Sequence, residues 1–242
     1  MNNTEKDLIS VQTALRNKME ELAQLKGLSS DTLSPIFDGV ADVKAYLQSS
    51  PKIMWILKEP YDYINEETKK PEGGGWALME DMEKENENPL VQSLPRTVQR
   101  IIYSTSGIYT GMDYDNMKYY YQPEMYKYLF QIAYVNLSKM PAGTRSGNMT
   151  EKYIIWKDII FEQIKLYDPE VIIFGNTFQY MKEDLCVKEN NYVSSCSGWV
   201  DIYKKDGRLF VDAYHPGVFC STKQYVNTLV NIIRDTYNQN KQ

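Results

Sequence analysis

The chain has 242 residues and a formal net charge of −5, from 32 acidic and 27 basic side chains. This balance argues against broad, nonspecific nucleic-acid binding, because such binding depends on neutralising phosphates with cationic side chains. The length suits one domain with a sizeable core, and 43% hydrophobic and 24% charged residues are typical of a water-soluble globular protein.

Charge and cysteine content narrow the class of protein further. Acidic residues dominate an insert at about residues 62–92, whereas basic residues outnumber acidic ones from Ile202 to the end, so any nucleic-acid face would lie in the C-terminal part. The three cysteines form no CxxC pair, which predicts neither a disulfide framework nor a zinc site and fits a cytoplasmic setting. No segment has the apolar length of a secretion signal or of a membrane span.

Helices and strands are predicted in alternation along the chain. Residues 4–26 carry an apolar stripe of helical period and predict an amphipathic helix that ends at Gly27. The predicted strands are 52–57, 131–137 and 170–176, with a hairpin over 198–217 that turns at Lys205-Asp206-Gly207. The other predicted helices are 95–105, 151–167, 177–185 and 221–237, the last capped by Ser221; residues 71–76 are predicted as a loop, and 112–130 as a loop followed by a helix.

This alternation indicates an α/β fold, a three-layer α/β/α arrangement around a central, mainly parallel sheet of about four strands. We expect residues 1–242 to form one domain and the chain to be a monomer. In such sheets ligands bind beyond the carboxyl ends of the strands. Those ends carry Lys58-Glu59-Pro60, Asn136, Asn176 and His215, which is the only histidine of the chain.

The side chains at these strand ends suit one chemistry. A carboxylate can position water or stabilise a developing positive charge, an amide can read a donor–acceptor pair on a ring edge, and an imidazole can donate to a departing oxyanion. Hydrolysis of the N-glycosidic bond between a pyrimidine and deoxyribose needs these three roles.

Four segments, in order from about residue 50 to the C-terminus, resemble the motifs of the uracil-DNA glycosylase superfamily. ILKEPYD (56–62) is similar to its first motif, with Glu59 at the aspartate position of the Asp-Pro-Tyr-His form. YVNLSKMPAG (134–143) is similar to the segment with the base-reading asparagine, PEVIIFGN (169–176) to the third strand, and VDAYHPG (211–217) to the His-Pro-Ser motif. The cysteines of the iron–sulfur branch are absent, so the resemblance implies no metal cluster and no cofactor.

The resemblance implies a role for each matching residue. Glu59 would activate water or stabilise an oxocarbenium-like sugar, Asn136 would bind the uracil edge, and His215 would donate to the pyrimidine oxygen. Pro60 and Tyr61 would border the base pocket, and Trp76 would stack on the flipped base. Lys58 would sit beside Glu59 and keep it ionised.

The DNA-facing residues implied by the resemblance lie after Asn136 and after His215. They are Lys139, Gly217, Val218, Phe219 and Lys223, with Val218 and Phe219 as candidate wedges. Gly217 replaces the serine of the His-Pro-Ser motif, which removes a hydroxyl that would grip a phosphate.

Each of these residues also has a simpler interpretation. His215 could be a ring held by backbone groups, Glu59 a solvated loop carboxylate, and Asn136 a strand-end turn former. Trp76 could anchor its glycine-rich loop to the core.

The four motifs, in order along the chain, favour an enzyme that removes uracil or a related deaminated base from DNA. A protein of the same fold that binds a nucleobase, nucleotide or protein without catalysis is the alternative, and hydrolysis of a free nucleoside is a third reading.

Overall fold

A computed structural model of the chain describes residues 3–31, 33–60, 62–65, 67–68, 71–75, 91, 94–117, 123–142 and 147–239. Its helices are α1 (Asn3–Leu25), α2 (Val43–Gln48), α3 (Arg96–Thr110), α4 (Tyr114–Met117), α5 (Met149–Tyr167), α6 (Phe178–Met181) and α7 (Thr222–Gln239), with 3-10 turns at Pro123–Leu129 and Glu189–Asn191. Its strands are β1 (Gly39–Val40), β2 (Ile53–Leu57), β3 (Asp62–Ile64), β4 (Pro71–Gly75), β5 (Ile132–Asn136), β6 (Val171–Gly175), β7 (Tyr192–Cys196), β8 (Val200–Lys205) and β9 (Arg208–Ala213).

The main sheet is mixed and has seven strands in the order β1-β5-β2-β6-β9-β8-β7. Strands β5, β2, β6 and β9 lie side by side and run parallel, whereas β1, β8 and β7 pair antiparallel at the two sides. The α/β class predicted from the sequence is confirmed. The sheet is wider than the expected four strands, because the two-residue β1 and the exposed β7 carry too little apolar pattern to be recognised.

Helices cover both faces of this sheet. On β2, Ile53, Trp55 and Leu57 enter a core that is shared with α3 and α7, while Met54 and Ile56 enter a second core shared with α1 and α5. This period of two follows from the pleat of a strand, and a strand buried on both faces is typical of parallel sheets. Each fully buried aliphatic side chain contributes about 1.5–3 kcal/mol to folding.

Turn and cap residues explain where several elements end. Gly27 ends α1 with a φ of 64°, which an L side chain rarely adopts. The β8–β9 hairpin turns at Asp206 and Gly207 with φ values of 51° and 77°, as a two-residue hairpin turn requires. Ser221 Oγ accepts from the Gln224 backbone N–H at 3.0 Å and caps α7, as predicted.

Two further regions differ from the sequence prediction. Residues 71–75, predicted as loop, form β4 and pair antiparallel with β3 in a separate two-stranded sheet. The helix predicted over 177–185 is limited to the four residues of α6. Most of the acidic insert lies outside the described residues. None of the helices in the described part combines the length and apolar character that a bilayer crossing requires.

Candidate functional site

The carboxyl ends of β2 and β5 lie side by side and stay joined beyond the strands. Leu57 and Asn136 are partners in the parallel register. After the strands, the Ser138 backbone N–H donates to the Lys58 carbonyl at 2.8 Å, and the Ala142 N–H donates to the Pro60 carbonyl at 3.0 Å. These bonds hold the segments that carry Glu59 and Asn136 next to each other, at the sheet edge where ligands bind in α/β proteins.

Close packing at Gly175 brings the end of β9 to the same place. An ideal Cβ on Gly175 would lie 2.5 Å from Leu57 Cδ2, 3.1 Å from Pro216 Cδ and 3.6 Å from His215 Cα. A side chain at this position would require the Leu57 side chain to shift and Pro216 to move by a few tenths of an ångström, so glycine favours the close approach. The segment that carries His215 consequently lies close to the end of the strand that precedes Glu59.

Glu59 is held by a lysine that the sequence did not point to. The Lys152 ammonium, from the first turns of α5, donates to Glu59 Oε2 at 2.5 Å, and the Glu59 side chain is only 6% exposed. The other oxygen, Oε1, is buried and accepts no hydrogen bond from any described residue. The cation beside Glu59 is thus Lys152, whereas Lys58 was expected in this position.

Asn136 is buried and presents an acceptor of the same kind. Its side-chain Oδ1 is buried without a donor among the residues described here, while its backbone N–H donates to Asp38 Oδ2 at 2.6 Å. A buried polar atom without a partner costs free energy, and such atoms are rare in native proteins. Glu59 Oε1 and Asn136 Oδ1 are two such acceptors at neighbouring strand ends, and the other buried polar atoms without a partner among the described residues are Trp55 Nε1, Ser104 Oγ, Thr105 Oγ1 and Ser194 Oγ.

A buried polar network fixes the loop that follows Asn136. Lys139 Nζ lies 2.8 Å from both carboxylate oxygens of Asp38 and 2.9 Å from Gln163 Oε1, and Gln163 Nε2 donates to Asp38 Oδ1 at 2.8 Å. Burial lowers the pKa of the Lys139 ammonium, and the Asp38 carboxylate opposes that shift. Because this network satisfies every member, it rigidifies the end of β5.

The position of Lys139 corrects one prediction. The Lys139 side chain is fully buried and ion-paired to Asp38, so its ammonium does not reach a DNA backbone. A lysine that contacts a DNA phosphate needs an exposed ammonium group. Lys139 instead stabilises the end of β5 through its ion pair with Asp38.

His215 is half-buried, and a backbone contact fixes its tautomer. Its Nδ1 accepts a hydrogen bond from the Gly217 N–H at 3.0 Å, which leaves the ring proton on Nε2. Burial, followed by the nearby positive charge of Lys58, lowers the pKa of His215 to about 4. At neutral pH the ring is therefore uncharged and can donate through Nε2.

The glycine after Pro216 follows from close contacts around this ring. An ideal Cβ at Gly217 would lie 3.0 Å from His215 Nδ1 and 3.2 Å from Thr97 Oγ1. A larger residue here would crowd both atoms, so glycine suits the tight turn over the imidazole.

Arg100 of α3 holds the loop that follows His215. Its fully buried guanidinium donates to the carbonyls of Pro216 at 2.8 Å, Val218 at 2.8 Å and Cys220 at 2.5 Å. The fork geometry of a guanidinium lets one side chain reach three carbonyls. Arg100 was not recognised from the sequence because nothing local distinguishes it from a surface arginine of a helix.

The other predicted site residues are distributed as follows. Val218 is half-buried against the α3–α7 core, whereas Phe219 beside it is 94% exposed. Lys223 is exposed and ion-paired with Asp115. Pro60 is buried. Tyr61 and Trp76 lie outside the described residues.

Comparison with known proteins gives no family assignment: no family model matches the sequence, and no curated protein matches it. Across the described ranges, no group of three or more His, Cys, Asp or Glu side chains is arranged as metal ligands would be.

Proposed function

We propose that the chain is an N-glycosidase that removes uracil or a related deaminated base from DNA, and that its fold is of the uracil-DNA glycosylase type. The observation that carries the proposal is the pair of buried acceptors at adjacent strand ends, Glu59 Oε1 and Asn136 Oδ1. The N–H group of a base ring and a water molecule can each donate a hydrogen bond to one of these two oxygens. His215 adds a donor on the neighbouring segment.

In the proposed reaction Glu59 acts on water. Glu59 Oε1 accepts a hydrogen bond from a water molecule, whose oxygen attacks C1′ of the deoxyribose and whose proton passes to the carboxylate. The bond between C1′ and N1 of the base breaks, and its electron pair leaves with the base. Lys152 holds the other carboxylate oxygen and so fixes the direction of Oε1.

Asn136 and His215 would act on the base. Asn136 Oδ1 accepts a hydrogen bond from the N–H group of the base. The neutral His215 donates from Nε2 to the carbonyl oxygen of the base on which negative charge develops. A neutral donor suits this role, because its pKa of about 4 keeps the ring in one protonation state over the physiological range. The base leaves as an anion and takes up a proton from solvent, and Glu59 releases to solvent the proton that it received from water. The products are the free base and an abasic sugar.

The exposed Phe219 and the half-buried Val218 are the proposed contacts with the DNA stack. An apolar side chain inserted beside the target nucleotide offsets part of the unstacking free energy, which is a few kcal/mol. Because Phe219 is almost fully exposed, its removal should weaken DNA binding and leave the fold intact.

Two observations favour a second candidate function, which is base or nucleotide binding without hydrolysis. The Lys152 ammonium occupies one of the two carboxylate oxygens of Glu59, and Gly217 lacks the phosphate-binding hydroxyl of the family motif. A protein of this kind would bind the same ligand and release no base.

The test uses end-labelled single- and double-stranded oligonucleotides that contain one uracil, with thymine at that position as a substrate control. Wild type should produce alkali-labile abasic sites, and Glu59→Gln should reduce the single-turnover rate by about 10²–10⁴-fold, the range for a general base. Glu162→Gln is the matched control, since Glu162 also pairs with a lysine, Lys18, but on the exposed surface. Tight uracil binding without abasic product would select the second candidate.

A further inference from the structure

Four side chains stack in a column that runs from the core to the surface next to His215. The Arg100 guanidinium carbon lies 5.0 Å from the centre of the Tyr225 ring. The Tyr225 ring stacks on Trp199, with centroids 5.4 Å apart and planes at 27°, and Trp199 stacks on Tyr214 at 6.1 Å and 29°. Cation–π and offset-stacked contacts of this kind hold each ring in a fixed orientation.

Tyr214 is the outer member of the column. Its side chain is half exposed, at 50%, although it directly precedes the half-buried His215. The Tyr225 hydroxyl donates to the Tyr214 carbonyl at 2.9 Å, so the backbone at this position is fixed as well as the ring. A rigid, exposed aromatic ring beside a base-binding site loses little conformational entropy when another ring stacks on it.

Charges of both signs lie near the column, because Asp212, which pairs with Asp201 across β9 and β8, is two residues before Tyr214 in the chain. Arg96 lies close enough to Arg100 to lower the pKa of that guanidinium, although burial is the larger cause, and Lys58 acts in the same way on His215. The hydrogen bonds of Arg100 described above go to carbonyl oxygens, so they leave its positive charge in place. The negative charges of Glu59 and Asp115 are each paired with a lysine.

We propose that Tyr214 is a stacking platform for an unpaired nucleobase of single-stranded DNA, next to the base that enters the Glu59–Asn136–His215 site. Aromatic rings combined with nearby cations are how proteins bind single strands, because every base has a face that can stack. The inference deepens the proposed function and rests on it for the choice of DNA as the ligand. It predicts that single strands bind more tightly than duplexes.

Binding of a uracil-free oligothymidine of about 12 nucleotides, the length that such sites cover, tests the platform by fluorescence anisotropy at low salt. Wild type should bind it, and Tyr214→Ala should weaken binding by about 5- to 100-fold. Tyr214→Phe keeps the ring and should bind within about two-fold of wild type. Tyr192→Ala is the matched control, since Tyr192 is 46% exposed on β7, away from this column, and should have no effect.

Two results would overturn the inference. The first is equal binding of the oligothymidine by wild type and Tyr214→Ala. The second is no binding by wild type, which would indicate that the Tyr214 ring contacts a protein partner and not DNA. The readout is independent of catalysis. Uracil release with unchanged binding in Tyr214→Ala keeps the proposed function and removes the platform. Tyr214-dependent binding of the oligothymidine without uracil release keeps the platform and removes the proposed function.

Discussion

Lys152 and Glu59 are 93 residues apart in sequence and are joined by an ion pair of 2.5 Å beyond the carboxyl end of β2. The pair is asymmetric, because Glu59 is 6% exposed and Lys152 is 29% exposed. The lysine therefore compensates a carboxylate that the fold has removed from water. This arrangement makes the energetic role of Lys152 testable separately from catalysis.

Lys152→Met should destabilise the fold by about 1–3 kcal/mol, because it leaves the Glu59 charge buried without a partner. Most of that loss should disappear in the Glu59→Gln background, where no charge remains to be compensated. Urea unfolding of the two single variants and the double variant measures this coupling. Purely additive effects would show that the ion pair does not stabilise the site.

His215 provides a direct electrostatic readout, since it is the only histidine in the chain. In tag-free protein a single imidazole Cε1–H signal should titrate by proton NMR with a pKa of about 4, below the ordinary 6.5. Lys58→Met should raise this pKa, because it removes a nearby positive charge. A titration midpoint near 6.5 in the folded protein would contradict the buried, neutral ring.

The same shift affects stability. Because the folded state binds the His215 proton more weakly than the unfolded chain does, stability should fall as the pH falls from 6.5 to about 4. The loss is at most about 3 kcal/mol. His215→Gln should flatten the stability profile over this interval, and an unchanged profile would be the contrary result.

The ionisation of Asp212 should change the pH dependence of stability in the direction opposite to that of His215. It pairs with Asp201 across β9 and β8, and burial, followed by the Asp201 charge, raises its pKa to about 6, while Lys182 opposes the shift. Its folded-state pKa exceeds the unfolded value, so stability is lost as the pH rises through about 6. Asp212→Asn should therefore stabilise the protein by about 1–2 kcal/mol at pH 7–8, after allowance for partial exposure, and much less at pH 4.

Thermal unfolding at several pH values measures this effect. Asp235→Asn is the control, since Asp235 is exposed on α7. Equal stabilisation by Asp212→Asn at acid and neutral pH would show that charge is not its cause.

Arg100→Lys should loosen the loop after His215, because one ammonium cannot replace a fork that donates to three carbonyls. We expect a destabilisation of about 2–4 kcal/mol and faster reaction of Cys220 with a thiol reagent in a background in which Cys186 and Cys196 are both replaced by serine. Arg234→Lys is the matched control: Arg234 donates to the Gly111 carbonyl at 3.1 Å from an exposed position. Unchanged Cys220 reactivity in Arg100→Lys would show that the loop does not depend on the clamp.

The elements that carry the site were predictable from local pattern. Apolar runs predicted strands over 52–57, 131–137 and 170–176, which match β2, β5 and β6 within a residue or two. Their carboxyl ends then indicated Glu59 and Asn136 as neighbours, because parallel strands end at one edge of a sheet. These predictions succeeded because burial on both faces leaves a strong signal in sequence.

The partners of the site residues were not predictable in the same way. Lys152 and Arg100 are ordinary helix residues in sequence, and only the packing of α5 and α3 turns them toward Glu59 and the 216–220 carbonyls. The prediction that Lys139 faces DNA was wrong for the same reason. A lysine in a loop is normally exposed, and its burial depends on Asp38, which lies 101 residues away.

The central claim is that water, positioned by Glu59, cleaves the bond between a deaminated base and deoxyribose. Incubating a uracil-containing single strand with wild type and with Glu59→Gln, followed by mass spectrometry of both products, tests it most directly. We predict that wild type releases free uracil in amounts equal to the abasic sites, and that Glu59→Gln releases neither product at a comparable rate. Intact oligonucleotide after incubation with excess protein at low salt, for uracil and for hypoxanthine alike, would contradict the claim.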